Sequence, residues 1–348
     1  MTKKSQAVKI LLIKNLVLKT MNNLNQIAKQ LVSEKKGILA ADESLKTMTK
    51  RLASIGVEST LENRSMWRQI MVETEGFENY ISGIILYDET LRNPLPNGKM
   101  IAQILKEKGV LVGIKTDEGT YKFNLNEETF TLGLDKLEKR YEEYKTMGAV
   151  FAKWRAVYKV GDDLPSKAAL VSNAIGLAQY ALITQKAGLV PIVEPEVLVL
   201  EGNHNIYKSK EVTITVLKKV FKWLGRFGVD LSGILLKPNM VLPGKDCQDK
   251  TSAEKIAYET VEALKEAVPE EVPGIVFLSG GLSPDEATEY LKVMNEKYKN
   301  DVPWQLSYSF GRALQQEGLK VWGGKDENIK LAQQEFLKRC QKVSDARG

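Results

Sequence analysis

Residues 37–44 read GILAADES. A short apolar run opened by glycine suits a strand buried on both faces, and the polar tetrad after it suits a turn into a helix. In a doubly wound sheet the turn after the first strand ordinarily carries a glycine-rich phosphate loop, but here Ala41-Asp42-Glu43-Ser44 stands in that place. Seven more runs of this kind follow at 81–87, 111–116, 150–157, 190–194, 233–237, 274–278 and 304–309, with amphipathic helical text between them. Eight strand-then-helix units imply parallel strands covered on both faces. The expected architecture is therefore a (β/α)₈ TIM barrel, one domain over residues 24–348, preceded by a flexible extension over 1–23. Leu24, Ile27, Ala28, Leu31 and Val32 recur at helical spacing before the first strand, with Gly37 as the expected stop, and Ile329, Ala332, Phe336 and Cys340 repeat the pattern after the last.

Composition narrows the chemistry. The chain has 348 residues, 43% hydrophobic and 27% charged, with a formal net charge of +6 spread along its length. No long basic block points to nucleic acid, whereas a modest positive balance suits an anionic small substrate or simply a soluble surface. Two cysteines, Cys247 and Cys340, make neither a disulfide framework nor a zinc cluster, and a reducing compartment is the natural reading. His204 is the single histidine, set in the polar stretch EGNHNIYKSK, so zinc sites built on several histidines are excluded. His204 itself reads as a structural or exposed loop residue. Residues 1–33 hold six lysines and no acidic residue, and their apolar runs at 10–13 and 16–18 are too short to span a membrane. Three readings fit this stretch: a weak targeting segment, an extension upstream of an alternative start at Met21, or a non-essential extension of a cytoplasmic protein. The last is preferred.

The informative residues are ionisable groups inside or ending the strands, because a barrel carries its active site at the carboxyl ends of its strands. In GILLKPNM (233–240) Lys237 closes an apolar strand on the same face as Leu235 and Gly233. Such a lysine either snorkels to solvent or, if buried, loses charge and becomes a nucleophilic amine. FAKWR (151–155) puts Lys153 and Arg155 on one face with Phe151, two cations expected to depress each other's pKa. PIVEPE (191–196) sets Glu194 and Glu196 on one face of the strand between those lysines, giving an acid/base candidate or a structural ion-pair network. FLSGG and SFGRAL end the last two strands. There Gly280 and Gly281 allow close backbone approach to a phosphate and Arg312 can hold one bidentately. A second basic set, Lys50, Arg51 and Lys115, follows strands one and three across the mouth, which suggests a substrate phosphorylated at both ends.

GILAADES, FAKWRAV, VPIVEPE, LLKPNM, FLSGG and FGRAL, in this order between residues 24 and 340, resemble the signature strands of the class I fructose-bisphosphate aldolases. The resemblance implies a cofactor-free, metal-independent reaction through a Schiff base on Lys237. Glu194 is then the acid/base for the carbinolamine, Lys153 and Glu196 assist proton transfer, and Asp42 takes the proton of the C4 hydroxyl. Ser279, Gly280, Gly281, Ser309, Gly311 and Arg312 would hold the phosphate of the ketone half. Ser44, Thr47, Lys50, Arg51 and Lys115 would line the other phosphate, with Arg155 near the reacting carbons and Arg64 contributing at a distance. The implied partners are a sugar bisphosphate and further copies of the chain in a homo-oligomer, a tetramer by resemblance, with neither nucleic acid nor membrane. Thr47 stands where the family usually has serine, and Phe310 where it has tyrosine. The sequence ends at Gly348 without the long tail and terminal tyrosine of the animal members. Exchange of the C3 proton is thus expected to fall to Glu196 or water, and truncation after Lys342 to change turnover by less than about threefold. A transaldolase-like Schiff-base barrel would need one phosphate site only, and a non-catalytic barrel would have no use for these charges.

Overall fold

The computed structural model describes residues 21–348, so the extension expected over 1–23, with its apolar runs at 10–13 and 16–18, lies almost wholly outside the described residues. A helix over residues 21–31 (α1) leads into β1 (Gly37–Ala41). The remaining barrel strands are β2 (Ile81–Leu86), β3 (Leu111–Lys115), β6 (Ala149–Tyr158), β7 (Val190–Val197), β8 (Leu235–Leu236), β9 (Gly274–Phe277) and β10 (Gln305–Phe310), and β4 (Thr120–Lys122) and β5 (Thr129–Thr131) form a separate antiparallel hairpin. The barrel closes in the order β1-β10-β9-β8-β7-β6-β3-β2, with every neighbouring pair parallel. Helices between the strands cover the outside, the longest being α7 (Lys167–Lys186) and α8 (Ile206–Arg226).

Period-two alternation sorts each strand's side chains. Leu39, Ala41, Ala152, Trp154, Val193 and Leu236 face the helices, while Ile38, Ala40, Ile85, Phe151, Val190, Ile192, Leu235 and Val276 fill the interior. Leu24, Ala28, Leu31 and Val32 of the α1 segment join that interior cluster from below. Phe151 lies across the lower layer, and a Cβ on Gly113 would sit 2.1 Å from its ring, so β3 must carry glycine there. Above this apolar floor the next inward positions are Lys153, Glu194 and Lys237.

Several expectations are corrected. Gly37 does not stop the first helix; it begins β1, and the left-handed residue in the connection is Lys35, at φ 57°. The strand expected over 233–237 pairs only at Leu235–Leu236, because Leu231–Gly233 forms a 3₁₀ turn capped by Asp230. The β4–β5 hairpin was not foreseen. Tyr121, Phe123 and Phe130 hold it together, with Tyr121 and Phe123 5.4 and 5.9 Å from the Phe130 ring, and Thr131 Oγ1 ties it to β6 by donating to the Arg155 carbonyl at 2.7 Å.

The carboxyl-terminal residues are also built in. After α12 (Ile329–Asp345), Arg347 is 5% exposed and donates to the carbonyls of Val32, Ser33, Lys36 and Leu306 and to Gln305 Oε1, while Ser344 Oγ donates to the Lys35 carbonyl. The expectation for truncation after Lys342 concerned turnover, whereas these contacts bear on stability. They fasten α12 to the lower rim of the barrel.

Candidate active site

The carboxyl ends of the barrel strands surround a cavity of about 650 Å³. Its wall takes in Asp42, Ser44, Thr47, Lys50, Arg51, Lys115, Lys153, Arg155, Glu194, Glu196, Lys237, Ser279, Gly280, Gly281, Ser309, Gly311 and Arg312. Arg64 is not among them. Its guanidinium is clamped on Glu89 by bonds of 2.7 and 2.6 Å and also donates to the Ser59 carbonyl, so its donors are spent outside the cavity.

At the cavity floor the charges alternate. Lys237, 4% exposed, follows β8, and its backbone N–H donates to the Val193 carbonyl at 2.8 Å. Its Nζ lies 3.2 Å from Glu194 Oε1, and Glu194 Oε2 lies 3.2 Å from Lys153 Nζ. Lys153 in turn stands 2.7 Å from Asp42 Oδ2 and 3.8 Å from Asp117 Oδ2. Arg155, one inward step along β6, donates through Nε to Glu196. Register explains the row: Arg155 pairs with Glu194 across β6 and β7, and Lys115 pairs with Lys153 across β3 and β6.

The electrostatics overturn one expectation. Burial works against the charged form of Lys153, but Asp42, Glu194 and Asp117 outweigh it and push the pKa well above that of a free lysine. Lys153 is a fixed ammonium, not a neutral amine. Burial likewise opposes the Asp42 carboxylate, and Lys153, Lys237 and Lys115 override it, holding the group well below the ordinary carboxylate range. Lys237 differs from Lys153 in having a single acidic neighbour within ion-pair distance among the described residues, Glu194.

Two further sets line the rim. Between β9 and α10 (Pro284–Tyr298), Ser279 to Leu282 form a turn closed by Leu282 N–H on the Ser279 carbonyl at 2.8 Å. Gly281 sits there at φ 93°, a backbone setting that side-chain-bearing residues avoid. Opposite, α11 (Arg312–Trp322) starts directly after Gly311, so its first amides face the cavity without intrahelical acceptors, as suits an anion. Ser309 Oγ beside them is buried with no hydrogen-bond partner. The second set sits on α2 (Leu45–Ala53), whose N-cap Ser44 meets the Thr47 hydroxyl at 3.1 Å. Arg51 reaches from α2 to within 3.8 Å of the Gly311 Cβ position and so stands between the two sets.

Sequence reading passed over Glu43 and Asp117, although both lie in the polar runs at the strand ends. Glu43 receives Arg51, Arg68 and Gln315, so it fixes the Arg51 side chain from behind. Asp117 Oδ1 is 2.8 Å from Lys115 Nζ. Their signal was the same as that of the residues that were singled out: a carboxylate next to an apolar strand. His204, half-buried, lies away from this cavity, in the loop before α8.

A family model described as fructose-bisphosphate aldolase class-I matches residues 23–348. The chain is 52% identical over 312 residues to fructose-bisphosphate aldolase 4, cytosolic, of Arabidopsis thaliana, covering 89% of this chain and 79% of that one. It is 53% identical to fructose-bisphosphate aldolase 6, cytosolic, of the same plant, covering 89% and 86%. Among solved structures, the fructose-bisphosphate aldolase of Plasmodium falciparum, in complex with TRAP and a small-molecule inhibitor, superposes with a TM-score of 0.92 at 42% identity, over 94% of this chain and 95% of that one.

Proposed function

The chain belongs to the class-I fructose-bisphosphate aldolase family, and from that premise we propose how its own residues divide the work. The enzyme reversibly cleaves fructose 1,6-bisphosphate to dihydroxyacetone phosphate and glyceraldehyde 3-phosphate, a reaction of glycolysis and gluconeogenesis. The observation that carries the division of roles is the alternating row Lys237, Glu194, Lys153, Asp42, with neighbouring charged atoms between 2.7 and 3.2 Å apart.

The Lys237 amine attacks the C2 ketone, and Glu194 returns the proton that lets water leave the carbinolamine. The resulting iminium draws the electrons of the C3–C4 bond as Asp42 removes the C4 hydroxyl proton, which frees the aldehyde. Lys153, charged and lodged between Glu194 and Asp42, stabilises the negative charge developing on oxygen in both steps. The enamine left on Lys237 takes a proton at C3, for which Glu196 on β7 or water is the donor, and hydrolysis releases dihydroxyacetone phosphate. Ser279, Gly280, Gly281, Ser309, Gly311 and Arg312 hold the ketone-side phosphate, and Ser44, Thr47, Lys50 and Lys115 the aldehyde-side one. Arg51 lies between them.

We also place the enzyme in the cytosol, on the strength of relatives named cytosolic, and assign it a homo-oligomeric state by family resemblance. The exposed Tyr121, Leu125 and Leu132 at the hairpin, and Tyr207 and Tyr258 on the helical surface, leave apolar area for such contacts. Sedimentation at micromolar concentration reads the oligomeric state. The test of the mechanism is borohydride reduction with dihydroxyacetone phosphate in the presence of EDTA. The adduct is expected on Lys237, and an adduct mapped to another lysine would overturn the assignment.

A further inference from the structure

Lys115 and Lys153 are register partners on adjacent parallel strands and both point into the barrel, so two ammonium groups are forced into proximity. Without an anion between them they would repel, and both side chains would be displaced from the positions the reaction needs. The anion is Asp117. Its side chain is 7% exposed, Oδ1 lies 2.8 Å from Lys115 Nζ, and Oδ2 lies 3.8 Å from Lys153 Nζ with no hydrogen-bond partner of its own. Lys115 Nζ also donates to the Asp117 carbonyl at 2.6 Å and lies 5.9 Å from the centre of the Tyr87 ring, so it is gripped from two sides.

The residue before Asp117 is itself held. Thr116 N–H donates to the Lys153 carbonyl at 3.0 Å, and behind it the Thr116, Tyr141 and Thr184 hydroxyls form a buried chain, 3.4 and 2.7 Å apart. A carboxylate anchored this firmly is preorganised and does not have to be recruited when substrate arrives.

We propose that Asp117 is a positioning residue of this reaction: it seats the Lys115 ammonium for the phosphate of the aldehyde half and completes the anionic shell around Lys153. The proposal rests on the division of roles above. Around Lys153 the charged groups are Asp42 after β1, Lys115 and Asp117 on and after β3, Arg155 on its own strand, Glu194 on β7 and, beyond Glu194, Lys237. Removing one of the three carboxylates leaves the two others facing an excess of positive charge, and the Lys153 proton is then lost at lower pH.

The experiment compares wild type, Asp117→Asn, Lys115→Met and the double variant on fructose 1,6-bisphosphate and on fructose 1-phosphate, which lacks the aldehyde-side phosphate, at neutral pH. Asp117→Asn is expected to raise KM for the bisphosphate about tenfold and that for the monophosphate less than about twofold. In the Lys115→Met background the KM effect should disappear, because Asp117 acts there through Lys115. If Asp117→Asn does not fold, Asp117→Glu is read instead: its longer side chain displaces the Lys115 ammonium and should raise KM for the bisphosphate but not for the monophosphate. Equal KM changes for the two substrates, or a KM effect that persists without Lys115, would overturn the proposal. Borohydride labelling of Lys237 in wild type reports on the division of roles separately.

Discussion

Glu194 Oε1 lies 3.2 Å from Lys237 Nζ, and among the described residues no other carboxylate comes within ion-pair distance of that nitrogen. A proton moving on or off a carbinolamine at Lys237 therefore has one protein acceptor at hand. Glu194→Gln keeps the shape and removes the acceptor, so cleavage should slow by about 10²- to 10⁴-fold. Rapid-quench borohydride trapping with dihydroxyacetone phosphate should show the iminium forming correspondingly slowly on Lys237. Labelling at the wild-type rate would mean that water serves this step.

The two phosphate ends can be separated by ligand. Arg312→Ala removes a charged donor at the start of α11 and should weaken both the bisphosphate and dihydroxyacetone phosphate about tenfold. Lys115→Ala should weaken the bisphosphate and leave dihydroxyacetone phosphate within about twofold. Calorimetric titration of both ligands decides the matter, and equal losses on both by each variant would show the ends to be misassigned.

The Asp42–Lys153 pair has a defined pH window. Asp42 is held below its ordinary 3.8, so its contribution to stability is fully present above that pH and is lost as pH falls through the lower folded value. Lys153 is raised above its ordinary 10.5, so its contribution is present below that pH and is lost only as pH rises through the higher folded value. Asp42→Asn should therefore differ from wild type in unfolding free energy by a constant amount between about pH 5 and 9, and by less below about pH 4. Denaturant melts across this range check it, and a difference that varies between pH 6 and 8 would contradict the pairing.

Truncation after Lys342 should be destabilising. It removes Arg347 with its acceptors at Val32, Ser33, Lys36, Leu306 and Gln305, together with the buried Val343, Ser344 and Ala346. The loss of this buried network and apolar area should cost about 3 to 5 kcal/mol, read as a lower thermal midpoint. Arg347→Ala alone should reproduce a large part of it, and a truncated protein melting within about 2 °C of the full chain would contradict the anchoring.

What could be read from the sequence followed from local rules. Apolar runs at regular intervals marked the barrel strands, and a lysine or glutamate in the inward register of such a run has no place but the cavity. What could not be read depends on partners from elsewhere in the chain. The charge state of Lys153 was misjudged because its own strand offers only another cation, Arg155, while its acids come from the segments after β1 and β3 and from β7. Arg64 looked like a site residue until Glu89, twenty-five positions on, took its Nε and one terminal nitrogen. Arg347 carries no signal in its own neighbourhood, since all its acceptors lie on the lower rim. The β4–β5 hairpin was missed because three-residue strands with exposed faces leave too short a pattern for a period to register.

Leu24, Ala28, Leu31 and Val32 plug the barrel from below, against Phe151 and Leu235. The described molecule is thus a cup and not a pipe, and what goes in must come out by the same mouth. Lys237 stands at the bottom of the cup, so the fragment bonded to it is the one stowed deepest. Only one fragment stays bonded to Lys237 after cleavage, so the free aldehyde is expected to depart first, and in the reverse direction the ketone is expected to load before the aldehyde is admitted.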